Sequence, residues 1–361
     1  MSGGQFDHGG AVRPAGVRVS TERNATLVIL SGSGDRHSLC HADRQALAAA
    51  FDRYALDLRY YCTIVVGAGE GVFCPGSDMA ELAGLAAESP DKALASYALD
   101  LRNAWALDRM GKPDIPFIDG LVTGSGHALS LLGTHRVAGE HYAFAMHGVR
   151  EGLFPQLASA YVLGRLPDGI GAYLALTGRS LGRADALALD LVTHCIPAGR
   201  FAEARARLVE ADPVDQVLDV LNVDPGPREL DPHRETIARC FSAETVGEIL
   251  ERLGRVSGAD AAWAAGVASE IASAPPTSLV LALELVTRRR VATLHEALLL
   301  DYRIASWRLA SADFRAAAAG SRRWKPASLG EVMPDSVLEA FLPPATGDLV
   351  LPSSPDPPSI S

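Results

Sequence analysis

The chain is poor in cysteine and aromatic residues, and it contains no long apolar run. Its five cysteines, Cys40, Cys62, Cys74, Cys195 and Cys240, are odd in number and scattered, with no CxxC pair and no Cys/His spacing. That pattern excludes a disulfide framework or a zinc site as the organising device. No apolar stretch reaches the roughly 18 residues that a membrane-spanning helix needs. The opening MSGGQFDHGGAVRPAG lacks a basic segment followed by an apolar core, so it does not read as a secretory signal. The expectation is a cytoplasmic protein with no membrane partner. A formal net charge of -10 over 361 residues also argues against a nucleic-acid partner. Two basic clusters, Arg288 to Arg290 and Arg322 to Trp324, read first as solvated helix caps and second as phosphate contacts.

What is present is a globular composition, 48% hydrophobic with charge of both signs spread along the chain. The length admits one large domain or two smaller ones. Residues 1–16 are glycine-rich and expected to be disordered. Val17 to Val19 and Ala25 to Leu30 predict a hairpin turning at Arg23-Asn24. The glycines of Ser31 to Asp35 suggest a phosphate loop, but no GK[ST] follows, which leaves a plain turn. His41 to Arg53 has helical spacing, and the continuous apolar run Cys62 to Val66 reads as a strand buried on both faces. Gly67 to Gly71 turns the chain into Val72-Phe73. Ser77 or Asp78 is placed to cap the helix that follows. Asp91 to Met110 is helical, with Ser89 as its N-cap and Pro90 in its first turn.

From Lys112 to Leu166 the pattern concentrates. A strand, Ile115 to Ile118, meets a turn at Asp119-Gly120. A second turn, Gly124-Ser125-Gly126, opens an apolar helix, His127 to Leu132. A polar break, the apolar Tyr142 to Met146 and a loop from His147 to Gln156 follow. A strand, a tight glycine turn and a helix start leave backbone N–H groups unpaired, suited to an oxygen that gains charge during a reaction. Beyond, Gly169 to Leu176 and Gly182 to Leu189 are helical, Thr177 to Leu181 is a turn, and Val192 to Ile196 is a last short strand. The prediction is an α/β core over residues 17–200, an all-helical region over 201–340, and a proline-rich loose tail over 341–361.

Phe73-Cys74-Pro75-Gly76-Ser77-Asp78 resembles the FxxG[AG]D loop of the crotonase (enoyl-CoA hydratase/isomerase) superfamily. Asp119-Gly120 with Gly124-Ser125-Gly126 resembles that superfamily's second loop. The chain is most similar to the 3-hydroxyisobutyryl-CoA hydrolase branch. Phe144-Ala145-Met146, Gly152-Leu153-Phe154-Pro155, Leu174 to Gly178 and Thr193-His194 have counterparts there in the same order. So do Pro276 to Leu279, Asp301-Tyr302-Arg303 and Trp324-Lys325-Pro326 in the helical region. The resemblance covers roughly residues 17–340. It implies a spiral of ββα turns binding an acyl-CoA or acyl-carrier thioester. CoA enters as part of the substrate and no separate cofactor is implied. A homo-oligomer is among the partner classes it leaves open. The oxyanion hole carries over to the backbone N–H groups of Ser77 and Ser125, with Gly76, Asp78, Gly124 and Gly126 as substrate-binding residues of the two loops. Ser125 calls for a check, because glycine adopts dihedrals that serine resists.

The resemblance breaks at the acid/base positions. The branch carries carboxylates within MPE and GLFPD, and these positions are Gly148 and Gln156 here. A third superfamily carboxylate falls on Ala128. Glycine cannot act as a nucleophile or base, and glutamine can orient a water without taking its proton. Candidate replacements are His147, beside the missing glutamate, and Glu151, three residues beyond Gly148. Gln156 is kept as a water-orienting candidate, and Gly148 and Phe154 as part of the substrate pocket. Against these stand plainer readings: His147 and His127 as packed neutral side chains, Glu151 as a surface residue, and His37 and Asp78 as loop-shaping residues. Ser159 and Tyr161 are placed to line or narrow the pocket. Three functions compete: altered enolate chemistry on an acyl thioester, a thioester hydrolase with relocated groups, and a non-catalytic acyl-CoA or partner-binding scaffold.

Overall fold

A computed structural model of the chain describes residues 5–6, 12–13, 16–31, 38–67, 71–157, 159–288, 291, 293–311, 314, 337 and 339–352. Two short strands, β1 (Gln5–Phe6) and β2 (Val12–Arg13), pair antiparallel with each other. The hairpin expected at Arg23-Asn24 is present as β3 (Val17–Glu22) and β4 (Ala25–Leu30). Helix α1 (His41–Tyr54) leads to β5 (Cys62–Gly67) and β6 (Gly71–Cys74). Next come α2 (Met79–Glu88), α3 (Pro90–Asp108), β7 (Asp114–Ile118), β8 (Gly120–Val122) and α4 (Gly126–Leu131). Strands β9 (Val137–Ala138) and β10 (Ala143–Phe144) precede α5 (His147–Arg150), α6 (Ser159–Leu163) and α7 (Ile170–Thr177). Strand β11 (Leu181–Gly182), α8 (Arg183–Ala188) and β12 (His194–Cys195) close the α/β part.

Apart from the β1–β2 pair, the described strands build two sheets in alternation. One has the order β12-β9-β7-β5-β4-β3, the other β11-β10-β8-β6. Neighbours are parallel except at β3–β4 and β10–β11. Each of the pairs β5/β6, β7/β8 and β9/β10 sends its first strand to the larger sheet and its second to the smaller. That is the spiral of ββα turns expected from the resemblance. The corner between β7 and β8 requires glycine. A Cβ on Gly120 would lie 2.4 Å from the Gly71 carbonyl carbon and the Val72 nitrogen, where the backbones of β6 and β8 nearly touch.

From residue 201 onward the described elements are helices, as the sequence predicted. Helices α9 (Phe201–Leu208), α10 (Val214–Leu221), α11 (Arg234–Phe241), α12 (Val246–Gly254) and α13 (Ala261–Ala272) come first. Then α14 (Pro276–Leu283) runs into a π-helical turn over Glu284–Arg288, and α15 (Leu294–Leu309) follows. A capping box at Thr293 and Glu296 starts α15. Helix α15 packs on α3, and Tyr97 and Leu101 share one apolar cluster with Leu281, Leu298 and Ile304. The helical region thus forms one wall around the loops that follow β6, β8 and β10. No helix of the described residues is long and apolar enough to cross a membrane.

Besides β1 and β2, which fall in the segment expected to be disordered, three short strands differ from the sequence reading. Gly120–Val122 and Leu181–Gly182 lie where turns were expected, and Val137–Ala138 lies in the polar break. Strands of two or three residues have no room to display a period of two. Ser89 precedes α3, but its side chain makes no capping bond there. The turn at 32–35, the middle of the 67–71 turn, His37, Arg289-Arg290, Arg322 to Pro326 and the tail beyond residue 352 lie outside the described residues.

Candidate active site

Two loops meet back to back at the ends of the smaller sheet's strands. The loop after β6 places Gly76 at φ +94°, and the loop after β8 places Gly124 at φ +55°. A Cβ on Gly76 would stand 2.9 Å from the Ser125 nitrogen, and one on Gly124 would stand 3.1 Å from the Gly76 Cα. The positive φ values and the close approach both call for glycine. Ser125 itself sits at φ -64° and ψ -16°, ordinary helical values that serine adopts without strain. The loop after β6 is fixed to residue 39: the Leu39 N–H donates to the Gly76 carbonyl at 2.8 Å, and the Asp78 N–H to the Leu39 carbonyl at 2.9 Å. The Ser77 N–H between them, and the Ser125 N–H opposite, donate to no acceptor among the described residues. Gly126 opens α4 against the Cys74 carbonyl, where a Cβ would come within 2.5 Å.

Asp78, not Ser77, caps α2, accepting from the Ala80 and Glu81 N–H groups at 3.0 and 3.1 Å. This carboxylate is committed to shaping the loop. Asp78→Ala is expected to cost about 1 kcal/mol of stability, read from the urea unfolding midpoint, and an unchanged midpoint would contradict the capping role.

The serine side chains join the two loops to a buried charge network. Ser77 Oγ lies 3.0 Å from Ser125 Oγ and donates to Asp100 Oδ2 at 2.9 Å. Asp100 comes from α3 and is 4% exposed. Its Oδ2 also accepts from the Nη1 of Arg44, a fully buried residue of α1, at 3.0 Å. Arg44 further donates to the Ser96 hydroxyl and carbonyl and reaches Glu81 at 3.3 Å. Burial pushes the Asp100 carboxyl above its ordinary range, with Arg44 and then Ser77 pulling it back. A small cleft beside this network is lined by Leu39, Leu47, Asp100, Asn103, Ser125 and Ala128, among others.

The loop after β10 is held from two sides. His127 is 2% exposed; its Nε2 is 3.0 Å from the Ala145 carbonyl and its Nδ1 is 2.9 Å from the Ser159 hydroxyl. A carbonyl only accepts, so Nε2 carries the proton, and Nδ1 faces the Ser159 hydroxyl, which also donates to the Gln156 carbonyl. Burial lowers the His127 pKa to about 4, so the ring is neutral at pH 7, as its plainer reading expected. From the helical region, Asp301 accepts the Leu157 N–H and Arg308 donates to the Gly152 carbonyl. Leu157 sits at φ +55°, a costly conformation for leucine, at the point that Asp301 holds.

His147 is half-buried at the start of α5, its pKa lowered by burial and then by Arg150. Glu151 is exposed at the other end of that helix. Gln156 is buried beside the Tyr97 hydroxyl. A Cβ on Gly148 would meet Leu153 and Phe154 only at ordinary distances of 3.5 to 3.8 Å, so the chain has room for a side chain there. Phe154 is 1% exposed, inside the cluster between α3 and α15. Ser159 is committed to His127, and the Tyr161 ring lies under the Arg165 guanidinium at 3.6 Å. The structure therefore brings Ser77, Ser125, Gly76 and Gly124 together and leaves Glu151 at the surface. The sequence reading missed Asp100 and Arg44. Their one sequence-level sign is serine at both loop positions, where the resemblance expects smaller residues.

The family profile for enoyl-CoA hydratase/isomerase matches residues 21–341. Over 354 residues the chain is 28% identical to the mitochondrial 3-hydroxyisobutyryl-CoA hydrolase of Gallus gallus, covering 93% of this chain and 91% of that one. It is 27% identical over 304 residues to the small ribosomal subunit protein mS47 of Neurospora crassa, covering 75% of this chain but 60% of that protein. Among solved structures, a carnitinyl-CoA dehydratase from Mycobacterium thermoresistibile is similar with a TM-score of 0.85 and 27% identity. That match covers 93% of this chain and 98% of the other.

Proposed function

The chain belongs to the enoyl-CoA hydratase/isomerase family, and from that premise we propose that it acts on an acyl-CoA or acyl-pantetheine thioester through an enolate. The observation that carries this reading is the pair of uncommitted N–H groups on Ser77 and Ser125, set by two glycines in contact. Two uncommitted backbone donors on adjoining loops suit an oxygen that becomes an oxyanion, with each donor worth about 2.7–4 kcal/mol in a transition state. Isomerisation, decarboxylation, elimination and cyclisation all pass through such a charge. With Gly148 and Gln156 in the loop after β10, the carboxylate route to hydrolysis has no group there to run it. CoA serves as part of the substrate, and the reaction asks for no further cofactor.

Two relatives support other readings. The likeness to a protein named as a 3-hydroxyisobutyryl-CoA hydrolase favours thioester hydrolysis with relocated groups. The likeness to a ribosomal protein favours a scaffold kept for binding. Calorimetry and mass spectrometry with butyryl-CoA and crotonyl-CoA separate the three. Saturable binding with conversion of the acyl group and no free thiol is the expected result. Stoichiometric release of CoA thiol would put hydrolysis first. Binding without conversion would put the scaffold first, and no binding would remove the acyl-CoA reading altogether.

A further inference from the structure

The site holds donors for a carbonyl oxygen, yet the two positions where the resemblance places carboxylates are Gly148 and Gln156. Asp100 brings a carboxylate from another direction. Its Oδ2 is occupied by Ser77 and Arg44. Its Oδ1 has no hydrogen-bond partner among the described residues and is not among the atoms sealed from solvent. Asp100 lines the same small cleft as Ser125. Asn103, one helical turn further along α3, lines that cleft too. Asn103 is 7% exposed, its Nδ2 donates to the Arg44 carbonyl at 3.0 Å, and its Oδ1 is buried without a partner. Asp100 Oδ1 and the Ser125 N–H are thus uncommitted polar groups of residues that line one cleft.

Resting on the acyl-thioester reading above, we propose that Asp100 is the catalytic base and acid of this site, that Arg44 and Ser77 position it, and that the group it deprotonates is the α-carbon of the acyl thioester. In the forward step Asp100 Oδ1 forms an O–H bond as the Cα–H bond breaks. The released electron pair becomes the C=C bond of the enolate, and the negative charge settles on the oxygen facing the Ser77 and Ser125 N–H groups. Asp100 is then a neutral carboxylic acid. Return of its proton to Cα, or to another carbon of the acyl chain, restores the carboxylate and closes the cycle with no co-reactant. A carboxyl raised by burial is the better base for such a proton. The groups that face it are Arg44 and His41 of α1, Ser77, Cys74 of β6 and Tyr97 of its own helix, with Glu81 of α2 on the far side of Arg44. The same arrangement accounts for serine at positions 77 and 125, since their hydroxyls form the chain Ser125–Ser77–Asp100.

The test is uptake of deuterium at Cα of butyryl-CoA in D2O, followed by mass spectrometry, with binding measured by calorimetry. Wild type is expected to exchange. Asp100→Asn, which keeps the shape and an acceptor for Arg44, is expected to lose a hundredfold or more of the exchange rate. Its butyryl-CoA affinity is expected to stay within about threefold, because a base acts on the step and not on uniform binding. Ser77→Ala removes a hydrogen bond that stabilises the carboxylate, so the midpoint of the rising limb of the exchange–pH profile moves to higher pH. A purely structural Asp100 would not move that midpoint. Exchange by Asp100→Asn within about threefold of wild type, or an unmoved midpoint in Ser77→Ala, overturns the assignment while leaving the acyl-CoA reading intact. If Asp100→Asn does not fold, as circular dichroism would report, Ser77→Ala decides alone. Wild type that binds butyryl-CoA without exchanging it also overturns the assignment, and wild type that does not bind it overturns both readings.

Discussion

At pH 8, Asp114→Asn is expected to be more stable than the wild type by about 4 kcal/mol, and the gap is expected to close as the pH falls towards 4. Asp114 opens β7, is 2% exposed, and neither of its carboxylate oxygens makes a hydrogen bond of ordinary geometry. It stands in register with Thr63 of β5, which is in register with Thr26 of β4, and both threonine hydroxyls are likewise buried without partners. A row of three polar groups thus crosses the middle of the larger sheet with nothing to satisfy it. Burial pushes the Asp114 carboxyl up from 3.8 to about 7, with the Ile115 N–H pulling weakly the other way. A folded-state pKa above the unfolded one means the folded state holds its proton longer. Below about 3.8 both states are protonated and the group is neutral in the balance. Between 3.8 and 7 the unfolded chain ionises first, so stability falls as pH rises, and the full penalty stands above 7. That interval of about three pH units, at about 1.36 kcal/mol each, sets the size. Asparagine leaves a polar group of the same shape, so the comparison isolates the charge. Urea unfolding at pH 4.5, 6 and 8 reads it directly, and parallel stability curves for the two proteins would refute it.

Asp114 also illustrates where the sequence is opaque. In the linear chain it is one acidic residue before an apolar run, indistinguishable from a strand's solvated first residue. Only the parallel neighbours on either side bury it. Asp100 is hidden for the same reason. In α3 it falls among residues at ordinary helical spacing, and what makes it unusual is Arg44, 56 residues earlier, and Ser77, 23 residues earlier. The clamp on the loop after β10 is more remote still, because Asp301 meets Leu157 across 144 residues. By contrast, the two glycine loops were legible, because a positive φ and a close backbone approach restrict the residue type at the position itself. The spiral was legible through the order of its motifs and the continuous apolar run of β5. Local constraint writes itself into local sequence, whereas a buried charge and its partner are written in two places at once.

Gly76→Ala puts that local constraint to its hardest use, and it is expected to remove nearly all turnover while leaving the two sheets assembled. The added Cβ would sit 2.9 Å from the Ser125 nitrogen, 3.0 Å from the Gly124 Cα and 3.1 Å from the Thr123 carbonyl oxygen. All three are backbone atoms, so no side chain can rotate away to make room. The φ of +94° adds a cost of about 1–3 kcal/mol for any residue bearing a Cβ. Relief comes only by pushing the loop after β8 away from the loop after β6, which separates the Ser77 and Ser125 N–H groups. Losing the contribution of one such donor lowers turnover by about 10²–10³. Gly84→Ala is the control. Gly84 lies in α2 with nothing within 4 Å of an added methyl, and alanine there is expected to raise stability by about 0.5–1 kcal/mol. The same chemical change at two glycines eight residues apart then has opposite signs. Deuterium exchange into butyryl-CoA and thermal unfolding of both variants supply the measurements. If Gly76→Ala retains exchange within about threefold of wild type, the two amides are not the donors that hold the enolate oxygen.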